Sequence, residues 1–330
     1  MPQKPDENQT KNQAPRLLAF EPKTPCPFCE NQNTVKAGQR TKREGKEQKY
    51  YCKTCKKYFS SSPMPHKTYS PKVILNGITY YNTGLKLDAT RKKLNSQFKQ
   101  KVPKGTLHSW IKQYENICTF TKYRRKLSFS PEEVIIEKVF KHHQEYAFKF
   151  HRLKLNIFSK KFPEIRKYLW QICKSCPDEI FEQGQRCSGT IIENVHLRRE
   201  RTKDNNAVLL ARLALLLAKR NKDRHPAIQD FMLKNDTATV AVEVPVYLYP
   251  NEVPELGIKE PISGHIDFLQ IRWDRVWILD YKPDAKFNPV KSLHQIYLYK
   301  LALSKRTGIP LKNISAAYFD GKDYFELKEN

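Results

Sequence analysis

The 330-residue sequence has no apolar run of the length, about 20 residues, that crosses a bilayer. Its most apolar stretch, Ala207–Leu217, is shorter and adjoins charged residues, so we interpret it as a buried helix and exclude a membrane-spanning protein. Neither a signal-peptide pattern nor an internal repeat is present. We therefore expect an intracellular, cytoplasmic location in a reducing compartment.

Acidic residues are also scarce, because 34 Asp and Glu stand against 60 Lys and Arg, for a formal net charge of +26. Residues 1–130 carry +19, residues 131–240 carry +7, and residues 241–330 carry no net charge. Strongly basic regions bind phosphates with salt-dependent affinity. This asymmetry predicts double-stranded DNA as the partner of the N-terminal part, rather than a general solubilising role for the lysines.

The sequence has only eight cysteines, and four of them form two Cys-x-x-Cys pairs separated by 22 residues: Cys26, Cys29, Cys52 and Cys55. Four thiolates at this spacing predict a closed, tetrahedral structural Zn²⁺ site. The reducing compartment disfavours two disulfides. The other four cysteines lack a ribbon pattern and are interpreted as structural or free thiols, with a second metal site at Cys173, Cys176 and Cys187 as the weaker alternative.

Three helices are predicted after the ribbon, over Ser70–Asn82, Asp88–Lys99 and Thr106–Ile117, with a break at Pro103–Gly105. They favour a helix-turn-helix whose third helix enters the major groove, and a plain three-helix bundle is the alternative. The predicted base contacts are Thr106, His108, Ser109 and Lys112. The predicted phosphate contacts include Arg91, Lys92 and Lys93.

The C-terminal third has the pattern of a mixed α/β fold. Strand-like segments and one helix that ends at Gly308 follow in the order Thr237–Tyr249, Ile262–Trp273, Arg275–Tyr281, Ser292–Thr307 and Ile314–Phe319. Because the helix separates two strands, it predicts a crossover within a mixed sheet. A turn at Asp320-Gly321 then predicts a final hairpin strand.

Polar residues lie at the ends of two of these predicted strands. Asp267 and Asp280 can supply the carboxylate oxygens that Mg²⁺ or Mn²⁺ prefers, and the backbone carbonyl of Tyr281 can add a ligand. Lys282 follows Asp280 by two residues, so both side chains leave the same face of the strand. A lysine there can orient or help deprotonate an attacking water. The set predicts metal-assisted cleavage of a phosphodiester.

Gln295 and Tyr299 are i and i+4 on the predicted helix and are expected to position the DNA strand. Together, Gly264-x-x-Asp267, Asp280-Tyr-Lys282 and Gln295-x-x-x-Tyr299 resemble the PD-(D/E)xK nuclease superfamily, in its RecB-like branch, over about residues 183–327. The resemblance implies a restriction-endonuclease-like core and a Mg²⁺-dependent deoxyribonuclease. Each residue alone has a plain structural explanation, such as a strand-end ion pair, whereas the ordered set favours catalysis.

The resemblance also implies an upstream acidic residue or histidine that completes the site. Residues 188–193 fit this motif, so Glu193 is the predicted catalytic residue and His196 the alternative. Glu243 is either a site residue or a structural carboxylate, and His265 is not predicted as a ligand. Members of the branch with an iron–sulfur cluster carry three cysteines after the Tyr299 position. None is present here, so no cluster is predicted.

The N-terminal region has a resemblance of its own. The segment Tyr51-Cys52-Lys53-Thr54-Cys55, the following Phe59 and the three predicted helices resemble the zinc ribbon and helix-turn-helix of insertion-sequence transposases. This resemblance implies a module that directs the chain to DNA.

The predicted organisation is a disordered tail over 1–21, a zinc ribbon over 22–62, a helix-turn-helix over 68–120, a helical linker over 121–180 and a nuclease domain over 181–330. The predicted function is a metal-dependent DNA endonuclease associated with a mobile genetic element, with Mg²⁺ or Mn²⁺ as catalytic cofactor and Zn²⁺ as structural cofactor. The alternatives are a repair- or adaptation-type nuclease that processes ends or flaps, and a transposase-derived regulator with an inert nuclease fold. The sequence does not determine the oligomeric state, and a homodimer is one of the states considered.

Overall fold

The computed structural model describes residues 25–26, 28–29, 31–42, 45–60, 67–192, 195–203 and 205–329. The chain divides into two compact units, with the boundary between Tyr69 and Ser70. The predicted tail over 1–21 lies outside the described residues. Each unit is considered by itself below.

The described part of the first unit is a small antiparallel sheet with the order β1-β2-β3, formed by Thr34–Lys42, Gly45–Cys52 and Tyr58–Ser60. Its buried hydrophobic residues are Cys26, Cys52 and Phe59. Tyr50 stacks on Phe59 with ring centroids 5.4 Å apart. So small a core leaves little apolar surface to stabilise the unit.

The second unit begins with the helices α1 (Pro71–Asn82), α2 (Leu87–Phe98), α3 (Lys104–Tyr114) and α4 (Phe120–Arg124). The first three confirm the predicted helices to within three residues at each end. Ser70 caps α1 by accepting a hydrogen bond from the Val73 amide, and Pro71 occupies the first helical position. A Cβ added at Gly77 would lie 2.9 Å from Leu107, so glycine allows α1 and α3 to pack closely.

Within the described residues, the rest of this unit is built on a nine-stranded mixed sheet. Its strands are β4 (Ile135–His142), β5 (Gln144–His151), β6 (Gln185–Arg186), β7 (Leu197–Arg201), β8 (Thr239–Leu248), β9 (Ile262–Arg272), β10 (Arg275–Tyr281), β11 (Ile314–Phe319) and β12 (Tyr324–Glu329). The order is β4-β5-β8-β9-β10-β11-β12-β7, and β6 pairs with β9. The pairs β10–β11 and β6–β9 are parallel and the other pairs are antiparallel.

The remaining helices are α5 (Arg152–Phe158), α6 (Pro163–Lys174), α7 (Asp178–Gln183), α8 (Asn206–Leu215), α9 (Arg224–Asn235) and α10 (Pro289–Thr307). As predicted, α10 joins the parallel strands β10 and β11 and ends at Gly308, which adopts the left-handed conformation with φ 76°. Ala207–Leu217 forms most of the partly buried helix α8. No helix in the described parts of the chain is long and apolar enough to cross a membrane.

The prediction of a helical linker over 121–180 is wrong for part of this segment. The segment Ile135–His151 is the hairpin β4–β5, which pairs with β8 and extends the sheet. Phe148 and Phe150 are buried on one face of β5, with the period of two that a strand imposes. The predicted helical linker over 121–180 therefore contains two sheet strands as well as helices.

Candidate active site

The four ribbon cysteines come together as predicted. Their sulfur atoms all lie within 4.8 Å of one another, with Cys26 and Cys55 at 3.5 Å and Cys29 and Cys52 at 3.6 Å. Sulfur atoms around a tetrahedral Zn²⁺ are about 3.8 Å apart, given Zn–S bonds of about 2.3 Å. The Cys55 amide lies 3.5 Å from Cys52 Sγ, and backbone bonds of this kind lower the Cys52 pKa to about 6. The cluster could therefore bind a structural zinc ion.

Asp267 and Asp280 lie side by side because β9 and β10 are antiparallel neighbours. The Asp267 carboxylate accepts a hydrogen bond of 2.8 Å from the Tyr281 amide, which fixes it against the end of β10. The Lys282 ammonium lies 2.8 Å from Asp280 Oδ2. In an extended strand the N–H and C=O of one residue leave on the same side, so the Tyr281 carbonyl also faces β9.

The helix α10 lies over this end of the strands and brings two predicted residues to them. The Gln295 amide nitrogen lies 3.3 Å from Asp280 Oδ1 and donates to the Tyr299 hydroxyl at 2.8 Å. A Cβ added at Gly264 would lie 2.5 Å from the Tyr299 ring. Glycine in the Gly-x-x-Asp motif is thus explained by the close approach of this tyrosine to β9.

Two further residues enter the site: His225, which was not predicted, and Glu243, for which both a site role and a structural role were left open. His225, near the start of α9, places Nε2 2.6 Å from Asp267 Oδ2. Glu243 on β8 lines the same cavity, accepts a 2.6 Å hydrogen bond from Gln229, and has a positive φ of 50°. This backbone conformation is costly for a non-glycine residue and is common at functional sites.

Signals for both residues are present in the sequence. Glu243 is the one charged residue in the otherwise apolar strand segment Thr239–Leu248. His225 is next to Pro226 at the start of the helix that leads into this strand. The helix before the strand of Glu243 therefore supplies His225, which contacts Asp267.

Burial and neighbouring charges shift the pKa values of this cluster. Burial and the Asp267 charge raise the pKa of Glu243 to about 8, and both also raise that of Asp280 to about 6, against the effect of Lys282. Burial acts to lower the pKa of His225, but Asp267 and the other carboxylates outweigh it and raise the pKa to about 9. Three carboxyl groups thus lie beside two cationic groups that are partly exposed.

These side chains line a cavity of about 400 Å³. Asp280 Oδ2 is buried, and its partner among the described residues is the Lys282 ammonium at 2.8 Å. A buried carboxylate of this kind could also serve as a ligand for a hard cation. The described residues do not bring three Cys, His, Asp or Glu ligand atoms within 4.8 Å of one another here. A cation would take few protein ligands, with water and phosphate completing its shell, as Mg²⁺ does.

The predicted upstream residue is not tested, because Glu193 lies outside the described residues. His196, the alternative, is exposed and lines a different pocket together with His294. His265 lines the same cavity as Asp267, but its Nε2 atom contacts His142 Nδ1 at 2.9 Å.

The predicted DNA contacts lie on the outer face of the helical region. On α3, Thr106 is half-buried, whereas His108, Ser109 and Lys112 are exposed. The opposite face of α3 is buried and consists of Leu107, Trp110 and Ile111. On α2, Arg91 is half-buried, and Lys92 and Lys93 are exposed. The four α3 residues are therefore accessible to a ligand.

In comparisons with known proteins, no protein-family model, curated protein or solved structure matches the chain. The structure itself defines a broad class of protein. It is an α/β protein with a large mixed sheet and a four-cysteine cluster near the N-terminus that could bind zinc.

Proposed function

We propose that the chain is a metal-dependent DNA endonuclease that cuts with the site on β9 and β10 and binds duplex DNA with its basic N-terminal region. The observation that carries this proposal is the buried pair Asp267 and Asp280, which lines a cavity together with the half-buried Lys282. The two buried carboxylates on neighbouring strands support a cation at this position.

The residues of the site are proposed to have different roles in cleavage. Asp267 and Asp280 would hold Mg²⁺ or Mn²⁺, with the Tyr281 carbonyl as a further ligand. The ion would neutralise charge on the phosphate and lower the pKa of a bound water. Lys282, held at Asp280, orients the attacking water and stabilises negative charge that develops on the phosphate.

The residues on neighbouring elements complete the site. His225 takes the role that the resemblance gave to Glu193, because it contacts Asp267 directly. Glu243 adds a carboxylate from β8. The Gln295 amide is fixed between the Asp280 carboxylate and the Tyr299 hydroxyl by hydrogen bonds. Gln295 and Tyr299 would therefore hold Asp280 in place and position the DNA strand.

The first 130 residues are proposed to bind DNA and to direct the chain to its target. They carry +19 of the net charge of +26, and α3 presents accessible polar and basic side chains in the manner of a recognition helix. The zinc ribbon would add a folded basic surface. An origin in a mobile genetic element is supported by the transposase-like pattern of this region alone.

Supercoiled circular duplex DNA tests the proposal, because it offers no ends to an end-processing nuclease. The full chain is expected to nick or linearise it with Mg²⁺ and to leave it intact with EDTA. Asp267→Asn and His225→Ala are expected to lose most of the activity, since both alter the carboxylate centre. His196→Ala, an exposed histidine outside the cavity, is the matched control and should cut like the wild type.

Cutting of the circle by Asp267→Asn at the wild-type rate would refute the assigned site. Cutting of linear DNA without any cutting of the circle would instead favour an end- or flap-processing nuclease. No cutting of either substrate with Mg²⁺ or Mn²⁺, together with retained binding, would favour a DNA-binding regulator.

A further inference from the structure

A second cluster of metal-ligating side chains lies at the wall of the cavity and shares no residue with the Asp267–Asp280 pair. It consists of His142 at the end of β4, Cys176 in the loop after α6, and Asp178 at the start of α7. One ligand atom from each residue lies within 4.8 Å of the other two. We propose that these three residues bind a second zinc ion, distinct from the ion of the ribbon.

The geometry is close to that of a zinc site. His142 Nε2 lies 2.9 Å from Asp178 Oδ1, and ligand atoms around a tetrahedral Zn²⁺ are about 3.3–3.8 Å apart. Small side-chain rotations therefore bring the three atoms to bonding distance of one ion. Asp178 keeps 59% of its side chain exposed, so water can reach the fourth position.

The His142 ring is held in the orientation that a ligand needs. It is 1% exposed and lies between Phe181, with ring centroids 4.2 Å apart, and Phe140, at 5.2 Å, both nearly parallel to it. His142 Nδ1 lies 2.9 Å from His265 Nε2. A bond at Nδ1 that leaves Nε2 for the ion is the usual support of a histidine ligand.

The donor set selects the kind of ion. One thiolate, one imidazole and one carboxylate suit zinc, whereas Mg²⁺ and Ca²⁺ take oxygen ligands. A single cysteine excludes an iron–sulfur cluster, which takes several thiolates. One thiolate and one carboxylate together also balance the charge of a divalent ion.

The position gives the ion a structural task. It would tie the β4–β5 hairpin to α7, and through His142 it would fix His265, which precedes Asp267 by two residues on β9. Tyr146 stacks on His265 with centroids 3.6 Å apart and also lines the cavity. The ion would therefore hold one wall of the cavity, whatever reaction takes place there.

Zinc content of the purified full-length chain tests the proposal. The wild type is expected to carry one zinc equivalent more than Cys176→Ser, measured by elemental mass spectrometry against protein concentration after dialysis. Asp178→Asn provides a second test, because this exposed, near-isosteric change leaves folding intact. It is also expected to lower the zinc content or to release this ion at a lower chelator concentration.

Cys173→Ser is the matched control, since Cys173 is three residues away and outside the cluster. It should retain the wild-type zinc content, and Cys52→Ser should retain the ion of the second cluster. With Co²⁺ in place of zinc, the thiolate charge-transfer absorption attributable to Cys176 should disappear in Cys176→Ser. Equal zinc content in folded wild type, Cys176→Ser and Asp178→Asn would overturn the proposal and leave His142 and Asp178 as a plain hydrogen-bonded pair.

Discussion

The ribbon and the large sheet are stabilised in opposite ways. The described ribbon buries only Cys26, Cys52 and Phe59 in its hydrophobic core, and two of these three are candidate zinc ligands. The sheet buries a large apolar core along β8, β9, β10 and α10. A zinc ion in the ribbon would therefore stabilise the ribbon fold, whereas a metal ion beside Asp267 would serve chemistry in a fold that has an apolar core of its own.

Removal of zinc is expected to have the largest effect, and to act on the ribbon but not on the sheet. Because structural zinc contributes about 10–16 kcal/mol in small zinc domains, Cys52→Ser or chelation is expected to unfold the ribbon and leave the sheet folded. Hydrogen exchange of the full chain would then show loss of protection in residues 34–60 and unchanged protection in β8–β10. Cys118→Ser, a buried cysteine outside the cluster, is the control. Loss of protection in both regions would contradict the separation.

The buried side chain of Lys154 contributes to the stability of the second unit through hydrogen bonds. Its ammonium donates to the carbonyls of Leu233, at 2.6 Å, of Thr239, at 3.2 Å, and of Asp236, which ties the end of α9 to the start of β8. Lys154→Met leaves these buried carbonyls without their donor. We expect a loss of about 3 kcal/mol in the free energy of unfolding.

Denaturant unfolding of the sheet unit measures this loss. Lys160→Met, a change at an exposed lysine close by in the sequence, is the control and should alter stability by less than about 0.5 kcal/mol. A Lys154→Met variant as stable as the control would show that α9 and β8 are held by apolar packing alone.

Gly264 affects both the packing of β9 against α10 and the candidate active site. In Gly264→Ala the new methyl group meets the Tyr299 ring, so we expect a loss of about 2 kcal/mol in stability together with reduced cleavage, because Tyr299 holds Gln295. Gly189→Ala is the control, since no described atom lies within 4 Å of the added Cβ. Thermal unfolding and cleavage are measured on both variants. Unchanged stability of Gly264→Ala would contradict the packing argument.

The smallest effect is expected at the DNA-binding face. Lys112→Ala removes one exposed cation from α3, so it should weaken duplex binding by about 1 kcal/mol and lower the slope of log affinity against log salt by about 1. Lys259→Ala, an exposed lysine of the sheet unit, is the control for net charge. Equal losses in the two variants would show that charge alone, and not α3, sets the affinity.

The sequence predicted the part of the fold in which local signals and order along the chain agree. The strands of Asp267 and Asp280, the helix of Gln295 and the three N-terminal helices all appear close to their predicted bounds. Gly264 is explained only by the structure, because its neighbour Tyr299 is 35 residues away in the chain.

The errors arose where pairing is long-range. The hairpin of residues 135–151 joins the sheet through β8, some 90 residues later, so the predicted helical linker gave no indication of it. His225 was not predicted because only folding brings it to Asp267. Glu243 was recognised as a candidate, but its burial and unusual backbone became visible only in the structure.

We propose that cutting and DNA binding reside in different regions of the chain. The most direct measurement compares cleavage and DNA binding of Asp280→Asn with those of Asp274→Asn, an exposed turn residue. The account predicts that Asp280→Asn loses cleavage by about 10³-fold and binds duplex DNA within about twofold of the wild type. Cleavage by Asp280→Asn at the rate of the Asp274→Asn control would contradict it.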